Sequence, residues 1–449
     1  MNEPLFTFHN LPRFYPHKLI LTLEAVGAAH AATSGGKTFQ GFVSSPLVQA
    51  QKEGVVTRVT FLGHAAKLRT GDLNTRTPAM LPMAAMLEAP QKADALAEVA
   101  ILQLRPDVDE VGCAEKLLND PLIRSAARVP ARYLCATPSS RPPGPAKMWN
   151  LNQIRWNKVP QKDKSAARIK VAVLDTGIDT SHPALPAVAA YHYEHPDVAD
   201  SVSDRDLVGH GTHVAGTIAA KLDGADLSGI CECDLHCWKI FSDEPEYIAS
   251  RNSYWYIVDP AMYLDALRSC EEQKIDVINL SIGGTEPPSD VESARFESLV
   301  RQGAVIIAAM GNERGAGSPV SYPAAIQGVI AVGATDNRDT VADFSNAGKH
   351  IALSAPGVEI WSTLPTYAGQ TGFRAIKKNG KVRVGQSASL RARAGFCAME
   401  RYFHERSARL GRCSSAACPF WQKTASLHQA ATHGQCEQDC CDGRCEIFQ

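Results

Sequence analysis

The chain has 449 residues, 45% hydrophobic and 21% charged, ordinary globular values that allow a sizeable core and a length suited to two domains, or to one large α/β domain with an extension. A formal net charge of −1 argues against nucleic acid or an anionic membrane as a partner. No run of about 18 apolar residues is present to span a bilayer.

In chain order, residues 1 to about 140 read as a mixed α+β region. Strand-like runs occur at HKLILTLEA (17–25), GVVTRVTFL (54–62) and AEVAILQLRP (97–106). CAEKLLND (113–120) then has a helical pattern and VPARYL (129–134) alternates as a strand. KLILTLEAVGAAHAA (18–32) has the outline of a signal peptide, but its position, the acidic Glu3 and Glu24 and its apolar pattern favour a strand. A cytoplasmic location is therefore expected over export. SSRPPGPAK (139–147) reads as a proline-rich linker. From Trp149 to about Gly385, apolar strands alternate with helical stretches, the signature of a parallel sheet covered on both faces. Beyond Gln386 that alternation stops.

Four stretches in the second region carry chemistry. RIKVAVLDTGIDTSHPAL (168–185) places Asp175 directly after a short apolar strand, where the loops of a parallel sheet open into a crevice. GHGTHVAGTIAAKL (209–222) puts His210 at the opening of a helix and His213 one turn inside. The two histidines are one residue short of a His-x-x-x-His metal spacing and have no acidic residue between them, so His213 is expected to be packed and hydrogen-bonded. KIDVINLSIGG (274–284) ends a buried strand in Ser281, Ile282, Gly283 and Gly284, whose glycines leave backbone open for an extended peptide to pair alongside. GAVIIAAMGNERG (303–315) sets Asn312 beyond another buried strand, where an amide can donate to a developing oxyanion.

Each stretch is weak alone; in this order they are specific. Residues 149–385 resemble the subtilisin-like (subtilase, peptidase S8) serine proteases. DTGIDTSHPAL is similar to that family's aspartate motif, HGTHVAGT to its histidine motif, SIGG to its substrate-binding segment and AAMGNE to its oxyanion motif. ATDNRDTVADFSNAG and SAPGVEIWSTLP also resemble stretches of the family. The resemblance implies an α/β fold with a mostly parallel central sheet covered by helices, preceded by a smaller α+β N-terminal region. It implies that Asp175 orients the imidazole, His210 is the general base, Asn312 stabilises the oxyanion and the backbone of 281–284 lines the substrate. A polypeptide substrate follows, with no cofactor; calcium is common in the family, but no acidic loop here marks a site. WNLNQIRWNKVP (149–160) resembles the start of a mature subtilase, so residues 1–145 are expected to be a prodomain or accessory region and 149–385 the catalytic domain.

The family closes with Gly-Thr-Ser-Met-Ala, and no such segment follows SAPG. Ser387 in GQSASLRA is followed by arginines where a buried helix should run, and Ser415 in CSSAACP lacks the Gly-Thr. Both are weak candidates for the nucleophile. The codons of MERYFHERS (399–407), read one base out of register, permit Trp-Asn-Gly-Thr-Ser-Met-Asn-Ala-Pro. This predicts a frameshift between about Gln386 and Met399 and an inactive chain as written. Residues 386–449 are then an out-of-frame, poorly ordered tail, which accounts for the crowding of seven of the thirteen cysteines between Cys397 and Cys445.

Three alternatives compete. The chain as written is a peptide-binding pseudoprotease. Cys436, Cys440, Cys441 and Cys445, with His428 and His433, form a zinc or disulfide site, though without paired Cys-x-x-Cys spacing. Asp-Thr-Gly is also the aspartic-protease signature, but that mechanism needs a second carboxylate motif and none is present. CECDLHC (231–237) puts Cys231, Cys233, Leu235 and Cys237 on one strand face as small core residues.

Overall fold

The computed structural model describes residues 11–23, 46–62, 99–120, 123–135, 148–160, 164–193, 202–221, 227–243, 245–248, 253–367, 374–378, 381–385 and 395–399. The N-terminal region is built from β1 (Phe14–Leu23), α1 (Pro46–Lys52), β2 (Val56–Leu62), β3 (Val99–Leu104), α2 (Glu110–Leu117) and β4 (Ile123–Pro130). Its strands form an antiparallel sheet in the order β2-β3-β1-β4. Period-two alternation divides the side chains between two cores. Leu19, Leu21, Leu23, Ala100, Leu102 and Leu104 pack with Leu47 of α1 and Leu117 of α2. On the other face Tyr15, Ile20, Val99, Ile101 and Val129 belong to the main core of the larger region. The small sheet therefore completes its burial only against residues far along the chain.

VPARYL, expected as one strand, is split. Pro130 ends β4, and Tyr133–Leu134 form a short β5 that leaves the N-terminal sheet to pair elsewhere. Next come α3 (Trp149–Gln153), β6 (Ser165–Asp175), β7 (Ala190–His192), α4 (His210–Ala219), β8 (Glu232–Lys239), β9 (Glu246–Ile248) and β10 (Ser253–Trp255). They are followed by α5 (Pro260–Glu272), β11 (Val277–Leu280), β12 (Ile282–Gly283), α6 (Asp290–Gln302), β13 (Val305–Ala309), β14 (Val329–Thr335) and β15 (Ile351–Pro356). The last elements are β16 (Ile360–Leu364), β17 (Arg374–Lys378), β18 (Lys381–Gly385) and β19 (Gly395–Met399).

Seven strands form one sheet, β15-β14-β13-β11-β6-β8-β7, and every pairing in it is parallel. Continuous apolar runs such as VAVL (171–174) suit a sheet buried on both faces. Val171 and Val173 face the core containing Ala215 and Ala219 of α4, while Ala172 and Leu174 face the core containing Leu267 of α5 and Phe296 of α6. Cys233, Leu235 and Cys237 share the α4 side, with Cys231 packed at its margin. No helix among the described residues is long and apolar enough to cross a membrane. β19 pairs antiparallel with β16; the rest of 386–449, including Ser387, Ser415 and the cysteine-rich end, lies outside the described residues.

Candidate active site

Asp175 is the last residue of β6, at the carboxyl edge of the parallel sheet, and is 1% exposed. His210 opens α4, and its Nδ1–H donates to Asp175 Oδ1 at 2.7 Å. The same carboxylate oxygen accepts the Thr176 backbone N–H at 2.7 Å. The ring is thereby fixed with Nε2 free of the carboxylate, the orientation an imidazole needs to act as a base.

The helix start is held by Asp206, which the sequence reading missed. Its carboxylate is fully buried and accepts the N–H groups of Gly209 and Thr212, both at 2.8 Å, and the Thr212 hydroxyl at 2.7 Å. These are N-terminal donors of α4 that a helix cannot satisfy internally, and a carboxylate there also complements the helix dipole. Thr176 Oγ1 donates to Asp206 at 2.8 Å and accepts from Gly211 N–H at 3.0 Å, tying the loop after β6 to the helix. Gly209 supplies the turn with φ 88°. A Cβ on Gly211 would lie 2.0 Å from the Gly177 carbonyl, so only glycine allows this approach. His213 is buried and its Nε2 bonds the Ile360 carbonyl at 3.0 Å, a packing role.

Asn312 follows Gly311, which has φ 100°. The loop is braced from behind: the Asn312 N–H donates to Glu313 Oε2 at 2.8 Å, and Asn346 Nδ2 donates to the same oxygen at 3.0 Å. Asn346 Oδ1 accepts the Glu313 N–H at 2.6 Å. The Asn312 side-chain amide points forward and donates to the backbone carbonyl of Cys135.

That carbonyl belongs to a strand lying in a groove. β5 pairs antiparallel with β12, Leu134 opposite Ile282 and Tyr133 opposite Gly283. Cys135 N–H donates to the Ser281 carbonyl at 3.1 Å. On the other side, Val258 N–H donates to the Arg132 carbonyl at 2.8 Å, and Tyr133 bridges Ile257. Residues 132–135 are thus the middle strand of a three-stranded antiparallel ribbon. A Cβ on Gly284 would sit 2.2 Å from the Ala131 carbonyl, which explains a glycine at that position. The Cys135 thiol is pushed well above its ordinary range, by burial first and then by the Glu313 and Asp175 charges. Among the described residues, no group of three or more His, Cys, Asp or Glu side chains is placed to hold a metal ion.

An acid–imidazole pair at the strand ends of a parallel sheet, beside a groove that holds an extended strand, is the arrangement of a peptide hydrolase. The "Subtilase family" model matches residues 166–385. The major intracellular serine protease of Bacillus subtilis (strain 168) is 36% identical over 255 residues, covering 55% of this chain and 72% of that one. Subtilisin DY of Bacillus licheniformis is 33% identical over 229 residues, covering 50% and 78%. The crystal structure of fervidolysin from Fervidobacterium pennivorans, a keratinolytic enzyme related to subtilisin, shares the fold at 22% identity. Its TM-score is 0.50, covering 86% of this chain and 52% of that one. The chain belongs to the subtilase family of serine endopeptidases.

Proposed function

We propose that residues 149–385 are the catalytic domain of a subtilisin-like serine endopeptidase. Residues 1–145 are its intramolecular inhibitor, and the present reading frame has lost the nucleophile. The observation that carries the reading is the hydrogen bond from Asn312 to the Cys135 carbonyl, made by a strand paired with Ile282 and Gly283. The carbonyl of the residue before a scissile bond occupies this relation to its oxyanion donor.

In the intact site, a serine hydroxyl attacks the scissile carbonyl and its proton passes to His210 Nε2. Asp175 keeps Nδ1 protonated and stabilises the imidazolium. Asn312, with a backbone amide, holds the oxyanion as charge develops. Collapse breaks the C–N bond, the leaving amine takes the proton from His210, and water then hydrolyses the acyl-enzyme by the same route. The peptide substrate lies antiparallel to 281–284, where 133–135 lie now.

The Cys135–Ala136 bond follows the carbonyl held by Asn312, so it is the bond at which this enzyme would separate its N-terminal region. As written, the chain carries no Gly-Thr-Ser-Met segment, and it holds its own strand 132–135 in the groove without cutting it. Labelling by a serine-directed fluorophosphonate tests both parts. Restoration of the frame before Met399 is expected to give a labelled protein cut after Cys135, while the present chain stays unlabelled. Labelling of the present chain, or none after restoration, would overturn the reading.

A further inference from the structure

We infer that Glu292 sets a preference for arginine at the residue three positions before the one whose carbonyl meets Asn312, the fourth from the scissile bond. The inference rests on the groove reading above. Arg132 occupies that position, and its side chain is 2% exposed. Its Nη2 donates to Glu292 Oε2 at 2.9 Å and its Nε to Glu292 Oε1 at 3.3 Å. Nη1 donates to the Glu286 backbone carbonyl at 3.0 Å. The guanidinium fork thus finds a two-pronged carboxylate and a carbonyl in one pocket, a geometry that lysine cannot reproduce.

The pocket belongs to the catalytic region. Glu292 lies in the first turn of α6 and is itself 4% exposed. The Tyr263 hydroxyl, from α5, donates to Glu292 Oε1 at 3.2 Å and orients the carboxylate. The Tyr133 hydroxyl, by contrast, is held by the Pro12 carbonyl of the N-terminal region. A substrate arriving in place of 132–135 would lose that hydroxyl contact but would meet Glu292 unchanged. With any neutral side chain there, Glu292 stays desolvated without its cation; an acidic one adds repulsion. The preferred substrate is therefore an extended segment with arginine at the fourth position before the cut.

A charge-swap series on the full chain tests this by hydrogen exchange at the Leu134 and Cys135 amides, which donate to the Tyr256 and Ser281 carbonyls. The amides of β11 report whether the large sheet is intact. Arg132→Glu alone and Glu292→Arg alone are expected to speed exchange at Leu134 and Cys135 by at least about thirtyfold. The double swap Arg132→Glu/Glu292→Arg should restore most of the protection. Where Glu292→Arg also exposes β11, Glu292→Gln takes its place, with the same loss expected at the two groove amides. Unchanged protection in the Arg132→Glu chain would overturn the preference and leave the groove reading standing. Free exchange of both amides in the unaltered chain would overturn the groove reading and this inference with it.

Discussion

The Asn312 amide donates to the carbonyl of Cys135, 177 residues earlier in the chain. Two segments far apart in the chain thus meet at one backbone oxygen. Around it the N-terminal region is anchored by further contacts. Lys18 pairs with Asp259 at 3.2 Å, Arg13 pairs with Glu286, and the Tyr15 hydroxyl reaches Glu246 at 3.4 Å. Asp259 also caps α5 through the N–H groups of Ala261 and Met262. Asp259 therefore serves both the contact with Lys18 and the start of α5.

Gly284→Ala should dislodge the groove strand without unfolding the sheet. The added methyl would lie 2.2 Å from a backbone carbonyl that cannot swing away as a side chain can. We expect faster hydrogen exchange at Leu134 and Cys135, with β11 and β13 still protected. Overpacking of this kind costs about 1–3 kcal/mol.

Asp206→Ala should weaken the whole helix start beneath His210. It removes the acceptor of two backbone amides and two hydroxyls, all in the buried site. A loss of roughly 2–4 kcal/mol is expected, because buried donors are left unsatisfied. A shifted denaturation midpoint in urea measures it. Asp206→Asn, which keeps one acceptor oxygen, should lie between the two.

In a frame-restored enzyme, Asn312→Ala should lower kcat by about 10² to 10³ with little change in KM, the signature of a donor used only in the transition state. Steady-state kinetics on a peptide with arginine at the fourth position would show it. A change confined to KM would place Asn312 in ground-state binding instead.

Among the six described cysteines, Cys231 should alkylate first. Hydrogen bonding from Cys233 lowers its thiol to about 7, while burial holds Cys135, Cys237 and Cys270 well above the ordinary range. The thiolate is the reactive form, so iodoacetamide labelling of Cys231 should rise steeply between pH 6 and 8. Peptide mapping by mass spectrometry reads this site by site. Cys233→Ala should move the rise to higher pH.

The parallel sheet was legible from apolar runs such as VAVL and VIIAA. Asp175 was singled out at the end of one strand, His210 at the opening of a helix and Asn312 beyond another strand. The structure places them at the end of β6, the start of α4 and past the end of β13. What stayed hidden has physical causes. Asp206 carries no local pattern; it works through donors three and six residues ahead and through Thr176 from another loop. VPARYL alternates as one strand, and only Pro130 hints that the chain changes partners there. Glu292 sits three residues after Ser289 in S-D-V-E, where the spacing reads as a capping box. Ser289 does cap, accepting the Glu292 N–H at 3.2 Å, but the Glu292 carboxylate is taken by Arg132 and Tyr263. A pocket built from a distant arginine has no sequence spacing to betray it.

The most direct test of the account is the nucleotide sequence of the codons for Arg401, Tyr402, Phe403 and His404. A subtilase serine segment lying one base out of register predicts CGG, TAC, TTC and CAT, which spell Gly-Thr-Ser-Met across the codon boundaries. A TTT codon at Phe403 would put phenylalanine where the serine is required. The Asp175–His210 pair would then have no nucleophile in either frame, and the account of a lost reading frame would be contradicted.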